Sequence, residues 1–425
     1  KIAAAYWSDP VLLVIIILGA IIVGIIAGIY PAFYLSRFNA IRIFRGSSSG
    51  KKTNFLTKSL VVVQFCIATF LIISLLIFYK QVNFMKNKEL GFHAEQVAVF
   101  HNVNNQKIRN SFQSIRQIIE EKPEIESFCA AMTFPGSGGS GQHIYREGQD
   151  PKTGITIEEY RTDFGYLKTL GIKLIAGRDF DPMKSTDKNA FIVNNAAAEQ
   201  LGGSGIVGEN FVVGSRIGPI IGITNNFHHS SMEHTITPLM ISLDTLYFMQ
   251  FAARLQPDKI QQNLSAIETV IQQFDEAYTM KYYFIDERFE KMYRHEERVN
   301  KLITYGSILA IVIAVLGLLA LTSFLVYKRT REIGIRKAIG AGIKDIVRLL
   351  LSDVIRWVII ANLLAWPLAY YFIKSWLEDY AFKIDLSIWF FIAGAFLSLG
   401  IAILTVISQT MKAALSNPTE SLHYE

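Results

Sequence analysis

The stretch LITYGSILAIVIAVLGLLALTSFLVY, Leu302 to Tyr327, decides the fold, because it contains no Asp, Glu, Lys or Arg over its whole length. A mainly apolar segment longer than about 18 residues is typical of a helix that crosses a bilayer. Further segments of this kind are Val11 to Tyr34, Ser59 to Tyr79, Ser387 to Met411 and the weaker Ile346 to Ile373, which carries Asp353 and Arg356 near its start. We therefore predict a membrane protein with an α-helical transmembrane bundle of about five helices.

The composition places a globular domain between the second and third of these helices. Of the 425 residues, 51% are hydrophobic and only 18% are charged, which is a low charged fraction for a soluble protein of this size. Lys80 to Lys301, in contrast, has an ordinary composition, with 24 Lys and Arg against 27 Asp and Glu. This segment is long enough for one sizeable domain or two small ones.

The distribution of charge predicts the topology. The loop from Ser36 to Lys58 has six basic residues and no acidic one, and Lys328 to Arg348 has seven basic and two acidic residues. Basic loops between membrane helices face the cytoplasm, which leaves Lys374 to Leu386 and the large domain on the outer side. The other interpretation of the basic runs is nucleic-acid binding; their position beside the membrane explains them without it, and we predict no nucleic-acid partner.

The sequence carries no pattern typical of a catalytic or cofactor site. GSSSGKKT, Gly46 to Thr53, has three residues between its glycines where a phosphate-binding loop needs four, so we interpret it as a flexible linker. His228 and His229, with His234 nearby, are candidate metal ligands or polar turn residues. Adjacent residues on a strand point to opposite faces, which favours the second interpretation. We predict no enzymatic activity, no cofactor and no metal.

Two polar segments join the large domain to the membrane helices. Ile285 to Ile303 has apolar residues every three to four positions and no Gly or Pro as far as Tyr305, which predicts one unbroken helix running into the membrane. Lys80 to Leu90 forms a second stalk after the second membrane helix. These stalks are either spacers or elements that transmit motion. The glycine-rich stretch Pro135 to Gly141 is expected to form a mobile loop.

A weak internal repeat links the two ends of the chain. SRFNAIRIFRG, Ser36 to Gly46, and AALSNPTESLHYE, Ala413 to Glu425, each follow an apolar segment at its inner end. The similarity is either chance or the trace of a duplicated unit. In the second case Val11 to Tyr34 is the last membrane helix of a preceding unit.

The stretch REIGIRKAIGA, Arg331 to Ala341, separates two apolar segments on the predicted cytoplasmic side. On a helix, Ile335 and Ile339 share one face while Arg336 and Lys337 turn away, and Glu332 reaches Arg336 at i, i+4. Such an amphipathic helix lies on the membrane surface or in the groove of a partner.

Taken in order, these features resemble the FtsX-like permeases of ABC transporters. The order of a helix, a large external domain and three helices is similar to theirs, as are REIGIRKAIGA and the terminal NPTESL, Asn417 to Leu422. The external segment resembles the MacB-type periplasmic core domain. Its matching phrases are GRDF (Gly177 to Phe180), FIVNNAAAEQLG (Phe191 to Gly202), IVGENF (Ile206 to Phe211) and IIGITNNFHHSSM (Ile220 to Met232). Asn226 departs from the acidic residue usual before Phe227.

The resemblance implies a domain plan and an α+β fold for the external domain. Residues 1–58 would close a preceding unit, 59–79 would cross the membrane, 80–301 would form the periplasmic core domain with its stalks, and 302–425 would form the three-helix permease domain. Some members of this family have two such units in tandem.

The resemblance also implies a function and partners. The chain would be a permease subunit that couples ATP hydrolysis by a separate cytoplasmic ATPase to movement of the periplasmic domain, for export or extraction of a peptide, lipid-linked or antibiotic-like substrate. The ATPase contact would use Arg331, Glu332, Ile335, Arg336, Lys337 and Ile339. A homodimer or pseudo-dimer of permease units, a periplasmic adaptor or outer-membrane partner, the lipid bilayer and a location in the bacterial inner membrane are implied as well.

Two alternatives remain open at this point. A membrane-anchored signalling or scaffold protein that regulates envelope enzymes would work without an ATPase. A tethered external hydrolase would need a catalytic site in Lys80 to Lys301.

Overall fold

The computed structural model describes residues 50–101, 103, 105–244, 248–328, 339 and 342–415. The chain divides into two units, Lys1–Val61 and Val62–Glu425. The predicted first membrane helix, Val11 to Tyr34, lies outside the described residues.

Four long helices in the described part are long and apolar enough to cross a membrane. They are α1 Gly50–Asn87, α8 Arg294–Lys328, α9 Ile343–Glu378 and α10 Ile388–Leu415. They correspond to the second to fifth predicted apolar segments, so the interpretation as a membrane protein with a helical bundle is confirmed in this coarse form. The total of five stays a prediction.

A glycine and a polar pair are among the contacts that bring these helices together. A Cβ added to Gly394 of α10 would lie 2.5 Å from Ile73 Cγ1 of α1, so the glycine allows a close approach of the two helices. Ser398 Oγ of α10 donates a hydrogen bond to Asn362 Oδ1 of α9 at 3.1 Å, and both residues are buried. A buried polar residue in an apolar bundle needs such a partner.

Between α1 and α8 lies an inserted domain of strands and helices, as predicted. Its strands are β1 Val97–Phe100, β2 Ile125–Ala131, β3 Ser140–Arg146, β4 Ile155–Thr162, β5 Leu174–Gly177, β6 Phe191–Asn194, β7 Asn210–Val213, β8 Arg216–Thr224, β9 Leu239–Leu243, β10 Gln250–Leu255 and β11 Tyr282–Phe284. Its helices are α2 Gln106–Asn110, α3 Phe112–Glu120, α4 Tyr166–Leu170, α5 Asn195–Leu201, α6 Ile260–Gln272 and α7 Ile285–Met292.

The strands of the described part form one sheet in the order β11-β1-β10-β2-β4-β3-β7-β8-β6-β9, with β5 added beside β8. Because β4 also pairs with β9, the strands β4-β3-β7-β8-β6-β9 close into a ring. The parallel pairs are β4 with β9 and β6 with β8; the other pairs are antiparallel. The domain therefore has an open-sheet lobe and a ring-shaped lobe that share β4.

Successive side chains along a strand of the open-sheet lobe point alternately into two separate hydrophobic cores. On β2, Phe128 and Ala130 face a core formed with α3 and α6, while Cys129 and Ala131 face a second core. Successive side chains of a strand point to opposite faces, so a strand buried on both faces serves two cores. The second core includes Ile192 of β6, and it therefore joins the two lobes.

The stalk before α8 differs from its prediction. The prediction of one unbroken helix from Ile285 to Tyr305 is wrong, because α7 ends at Met292 and α8 begins at Arg294. Tyr293 leaves the helical conformation, with φ −88° and ψ 8°. No Gly or Pro lies at this break, and the Tyr293 side chain is buried in an apolar cluster instead.

Candidate functional site: the junction between the membrane helices and the inserted domain

Four segments distant in sequence meet where the membrane helices join the inserted domain, and we call this contact the junction. The predicted outer loop between α9 and α10, residues 379–387, contacts both the stalk and the inserted domain, so these elements lie at the same end of the helices. The segments are residues 81–90 at the end of α1, 228–233 of the inserted domain, 293–297 at the start of α8, and 379–387.

The side chain of Gln81 on α1 binds the backbone of the 379–387 loop at two points. Gln81 Nε2 donates to the Phe382 carbonyl oxygen at 2.9 Å, and the Ile384 amide donates to Gln81 Oε1 at 2.9 Å. Gln81 is fully buried. A primary amide offers a donor and an acceptor side by side, so one buried side chain satisfies two backbone groups of the half-buried loop.

Phe382 lies between two charged or titratable side chains of the junction. Lys88 Nζ is 3.6 Å from the centroid of the Phe382 ring, and the His228 ring meets the same ring edge-on at 4.8 Å. Burial, followed by the nearby charges of Lys88 and His229, lowers the pKa of His228 to about 4. The imidazole is therefore neutral at physiological pH, which suits its contact with an aromatic ring.

An apolar cluster explains the break at Tyr293. Tyr293 is buried together with Val82 and Met85 of α1, Met232 of the inserted domain and Tyr380 of the loop. The Ala381 amide donates to the Glu233 carbonyl oxygen at 3.0 Å, which fixes the loop to the inserted domain. Burying a large aromatic side chain is worth about 2 kcal/mol, enough to offset the departure of the single residue Tyr293 from helical conformation.

Aromatic stacking continues the junction along α9. The Trp376 ring stacks on Phe78 of α1 with centroids 3.6 Å apart, and it meets Tyr380 edge-on at 4.9 Å. Together with Gln81, these contacts connect the outer end of α9 to α1 over several residues. The outer end of α9 is thus bound to the stalk by packing and by hydrogen bonds.

Acidic side chains lie beneath the loop. Lys86 of α1 forms an ion pair with Glu297 of α8 and so links the two stalks. Glu296 is only 6% exposed, and burial raises the pKa of its carboxyl group. Burial, together with the charges of Glu296, Glu233 and Asp379, raises the pKa of Tyr380 to about 12, so its hydroxyl stays protonated.

His228 and His229 lie in a loop that bends at His229, as the turn interpretation expects, but both side chains are buried. His229 lies 2.9 Å from Thr237 Oγ1 through Nε2, and its carbonyl oxygen accepts from the Gly136 amide at 2.8 Å. The glycine-rich loop is thereby tied to the junction, and Arg288 Nε also donates to the Gly136 carbonyl oxygen at 2.9 Å. The described residues contain no group of His, Cys, Asp and Glu arranged to hold a metal.

A cleft of about 1060 Å³ opens beside the junction. One wall is the end of α1 with Lys86, and the other carries Lys173, Asp286 and Glu290 of the inserted domain. Charges of both signs line the cleft, so they define no single ligand. Since its walls belong to the stalk and to the domain, a change in their relative position would change its width.

The predicted ATPase contact is largely outside the described residues. Arg331, Glu332, Ile335, Arg336 and Lys337 all fall there, and the assignment stays a prediction. Ile339 is described: it lies in a turn and is 81% exposed. The Gly342 amide donates to Asp345 Oδ2 at 3.1 Å at the start of α9, so the helix begins directly after this segment.

Sequence reasoning missed the junction itself. Gln81 is one polar residue at the outer end of an apolar helix, and nothing in the local sequence shows that its partners lie some 300 positions later. The only available signal is the aromatic content at the end of α9 and in the short loop after it, namely Trp376, Tyr380 and Phe382.

The four apolar helices and the inserted domain define a membrane protein with a large α+β domain between its spans. Residues 305–418 match the family described as FtsX-like permease C-terminal, so the chain carries an FtsX-like permease domain in α8 to α10 and the segments between them. This confirms the resemblance drawn from the motifs in this region. None of the curated proteins compared with the chain matches it.

Three solved structures are similar to part of the chain. The periplasmic region of MacB from Actinobacillus actinomycetemcomitans is 12% identical, with a TM-score of 0.35, and the match covers 48% of this chain and 95% of that one. The extracellular domain of the noncanonic ABC-type transporter YknZ from Gram-positive bacteria is 12% identical, with a TM-score of 0.32, and the match covers 44% of this chain and 98% of that one. A domain of a putative permease protein from Porphyromonas gingivalis is 16% identical, with a TM-score of 0.32, and the match covers 45% of this chain and 89% of that one.

Proposed function

We propose that the chain is the permease subunit of an ABC transporter and that it converts ATP hydrolysis by a separate cytoplasmic ATPase into movement of the inserted domain in the periplasm. The FtsX-like permease domain supports the general role. The observation that carries the mechanical part is the two-point binding of the 379–387 loop by Gln81. This contact joins the membrane hairpin α9–α10 to the stalk that supports the inserted domain.

Helix α9 provides a direct path for this movement. It runs from Ile343, next to the proposed ATPase contact, to Glu378, next to the junction. At 1.5 Å per residue it is about 54 Å long, enough to cross a bilayer with both ends outside the hydrocarbon core. A displacement of the segment before Ile343 would therefore reach the 379–387 loop through one continuous helix.

Helix α8 also connects the junction with the proposed ATPase contact, and its chain direction is opposite to that of α9. It starts at Arg294 in the junction and extends to Lys328, just before the proposed contact. The segment between Lys328 and Ile343 thus connects two helices whose far ends both lie at the junction. Binding of an ATPase there would pull on both helices, and the junction would pass their motion to the inserted domain.

The remaining parts of the proposal concern partners and substrate. An exposed apolar stripe on α8, including Leu302, Ile308, Leu309 and Leu316, suits contact with lipid or with a second permease unit. We propose the bacterial inner membrane as the location, a homodimer or pseudo-dimer as the assembly, and a periplasmic adaptor or outer-membrane protein as a further partner. A peptide, lipid-linked or antibiotic-like substrate would be handled by the inserted domain and its cleft.

Charge reversal in the proposed contact should remove the ATPase. We expect R336E/K337E in the tagged full chain to reduce co-purification of an ABC ATPase from cell membranes at least tenfold, because two attractive charges become repulsive. The yield is measured by quantitative mass spectrometry after mild solubilisation. The matched control is K374E/K383E, which makes the same charge change at the other end of α9 and in the outer loop.

Recovery of the ATPase with the R336E/K337E variant and with the unaltered chain tests the contact and the proposed function separately. Retention of the ATPase by R336E/K337E would show that the contact lies elsewhere. Recovery of no ABC ATPase with the unaltered chain would contradict the permease proposal and favour a signalling or scaffold protein.

A further inference from the structure

The end of α8 nearest the junction has one exposed face that changes along the helix from apolar to basic. Leu302, Tyr305 and Leu309 follow one another at three- and four-residue spacing, and they are 69%, 68% and 61% exposed. Lys301 and Arg298 continue the same face toward the inserted domain, and both are exposed. A helix face that passes from apolar to basic suits the boundary between lipid chains and headgroups.

The neighbouring helix α1 presents the same kinds of side chain at the same level. Ser307 Oγ of α8 donates to the Leu71 carbonyl oxygen of α1 at 3.3 Å, and nearer the inserted domain Lys86 of α1 pairs with Glu297 of α8. Five exposed residues that lie between these two contacts along the helices form what we call the collar: Tyr79, Lys80, Arg298, Lys301 and Tyr305. Tyrosine is enriched where a membrane meets water, so the collar marks that boundary.

The cations of the collar are available to a ligand. Lys80, Arg298 and Lys301 form no ion pair within the part of the chain that the structure describes. The carboxylate of Glu297, one helical turn from Lys301, is already paired with Lys86. The collar therefore presents positive charge that the protein itself does not neutralise.

This charge selects between a lipid and a second copy of the chain as the neighbour of the collar. In a two-fold contact between copies, each residue near the axis faces its own counterpart. Arg298 and Lys301 would then meet like charges, which repel one another. A phosphate group has the opposite charge and accepts several hydrogen bonds, which Arg and Lys side chains donate.

We propose that the collar binds the headgroup phosphate of an anionic phospholipid, whose acyl chains lie along Leu302 and Leu309. Arg298 and Lys301 donate hydrogen bonds to the phosphate oxygens, and Lys80 adds its charge from α1. Because the lipid contacts α1 and α8 at the base of their stalks, its binding holds the two helices together beside the junction. The inference concerns the membrane helices alone and does not rest on the ATPase or the substrate proposed above.

Titration of phospholipid into the detergent-solubilised full chain, followed by native mass spectrometry, tests the proposal. The probes are phosphatidylglycerol, which is anionic, and phosphatidylcholine, which has no net charge. We expect the first phosphatidylglycerol to bind at least tenfold more tightly than phosphatidylcholine. Each basic residue near an anionic headgroup strengthens binding by about fivefold, so R298Q/K301Q should weaken phosphatidylglycerol binding at least tenfold. Its affinity for phosphatidylcholine should stay within threefold of that of the unaltered chain.

The matched control is K374Q/K383Q, which removes two exposed lysines at the same end of α9 and in the loop after it. Acidic residues lie close to both in sequence, namely Glu378, Asp379 and Asp385. These lysines therefore present little excess positive charge to a headgroup, and the affinity for phosphatidylglycerol should stay within twofold. If R298Q/K301Q does not fold, K80Q removes the cation on α1 and must weaken phosphatidylglycerol binding at least threefold in its place.

Each of the following results would overturn the proposal. Equal affinity for the two lipids would show that headgroup charge is not recognised. Unchanged phosphatidylglycerol binding in R298Q/K301Q would place the lipid elsewhere, and an equal loss in K374Q/K383Q would show attraction to positive charge in general. A dimer that binds no phosphatidylglycerol would assign the face to a second copy, and displacement of the lipid by inorganic phosphate would assign the collar to a soluble anion.

Discussion

A G218A variant is expected to unfold the inserted domain at a temperature roughly 6–12 °C below that of the unaltered chain, which corresponds to a loss of about 3 kcal/mol in a domain of this size. A Cβ atom added to Gly218 would overlap the carbonyl oxygen of Asn189 and lie 2.6 Å from its carbonyl carbon. Both are backbone atoms, so no change of rotamer relieves the overlap. Relief requires that β8 move away from the segment leading into β6.

The position of Gly218 makes this displacement costly. It lies on β8, which pairs with β5, β6 and β7 and so holds the ring-shaped lobe together. The core that joins the two lobes contains Ile221 of β8 and Cys129 of β2. Loosening β8 therefore weakens both lobes, and the effect should be seen at a distant buried residue.

Cys129 supplies the measurement, because it is fully buried and reacts with a maleimide only after the core opens. Labelling is followed against temperature in a C66S background. The control is G205A, which has open space around an added Cβ and no positive φ, and which should change stability by no more than about 0.5 kcal/mol. Equal labelling temperatures for G218A and G205A would show that the backbone contact is absent.

The elements that the sequence predicted correctly are those with a local signal. Each long apolar segment from Ser59 onward corresponds to a long apolar helix, because the requirement for about 20 apolar residues is met within one stretch of chain. The inserted domain was recognised from its ordinary composition. Its ring of strands was not predicted, since the β4–β9 pairing joins residues far apart in sequence.

Two features that the sequence did not predict share a physical cause. The break at Tyr293 lies in a segment of good helix formers, and it is imposed by the packing of that side chain against Met232 and Tyr380. His228 has the composition of a turn residue, yet it is buried against Phe382. In both cases tertiary contacts outweigh local propensity by a few kcal/mol, and a single sequence does not show them.

Replacing Gln81 with leucine is expected to release the 379–387 loop. The Phe382 carbonyl oxygen and the Ile384 amide would lose their partner in a half-buried loop, and each such group costs about 1 kcal/mol, the lower end of the range for an unsatisfied polar group. Since 1.4 kcal/mol corresponds to a tenfold change in an equilibrium, the open population of the loop should rise by at least tenfold in Q81L.

Trypsin cleavage after Lys383 reports this release. Lys383 is exposed, but the carbonyl before it and the amide after it are both held by Gln81, so the protease reaches the bond only in the open loop. When opening is fast, the cleavage rate follows the open population, and it should rise at least tenfold in Q81L. A matched control is N83L, which makes a similar polar-to-leucine change on the exposed face of the same helix.

A second substitution at Gln81 distinguishes the loss of its hydrogen bonds from a change in side-chain packing. Q81E keeps an acceptor for the Ile384 amide and has nearly the same volume, but it loses the donor to the Phe382 carbonyl oxygen. When ionised, it places a negatively charged oxygen against that carbonyl oxygen. Cleavage in Q81E should therefore also be faster than in N83L, although its side chain fills the same space. Slow cleavage in both Gln81 variants would mean that packing of Tyr380 and Trp376 alone holds the loop. Transmission from α9 to the stalk would then depend on aromatic contacts, and W376A would be the variant that releases it.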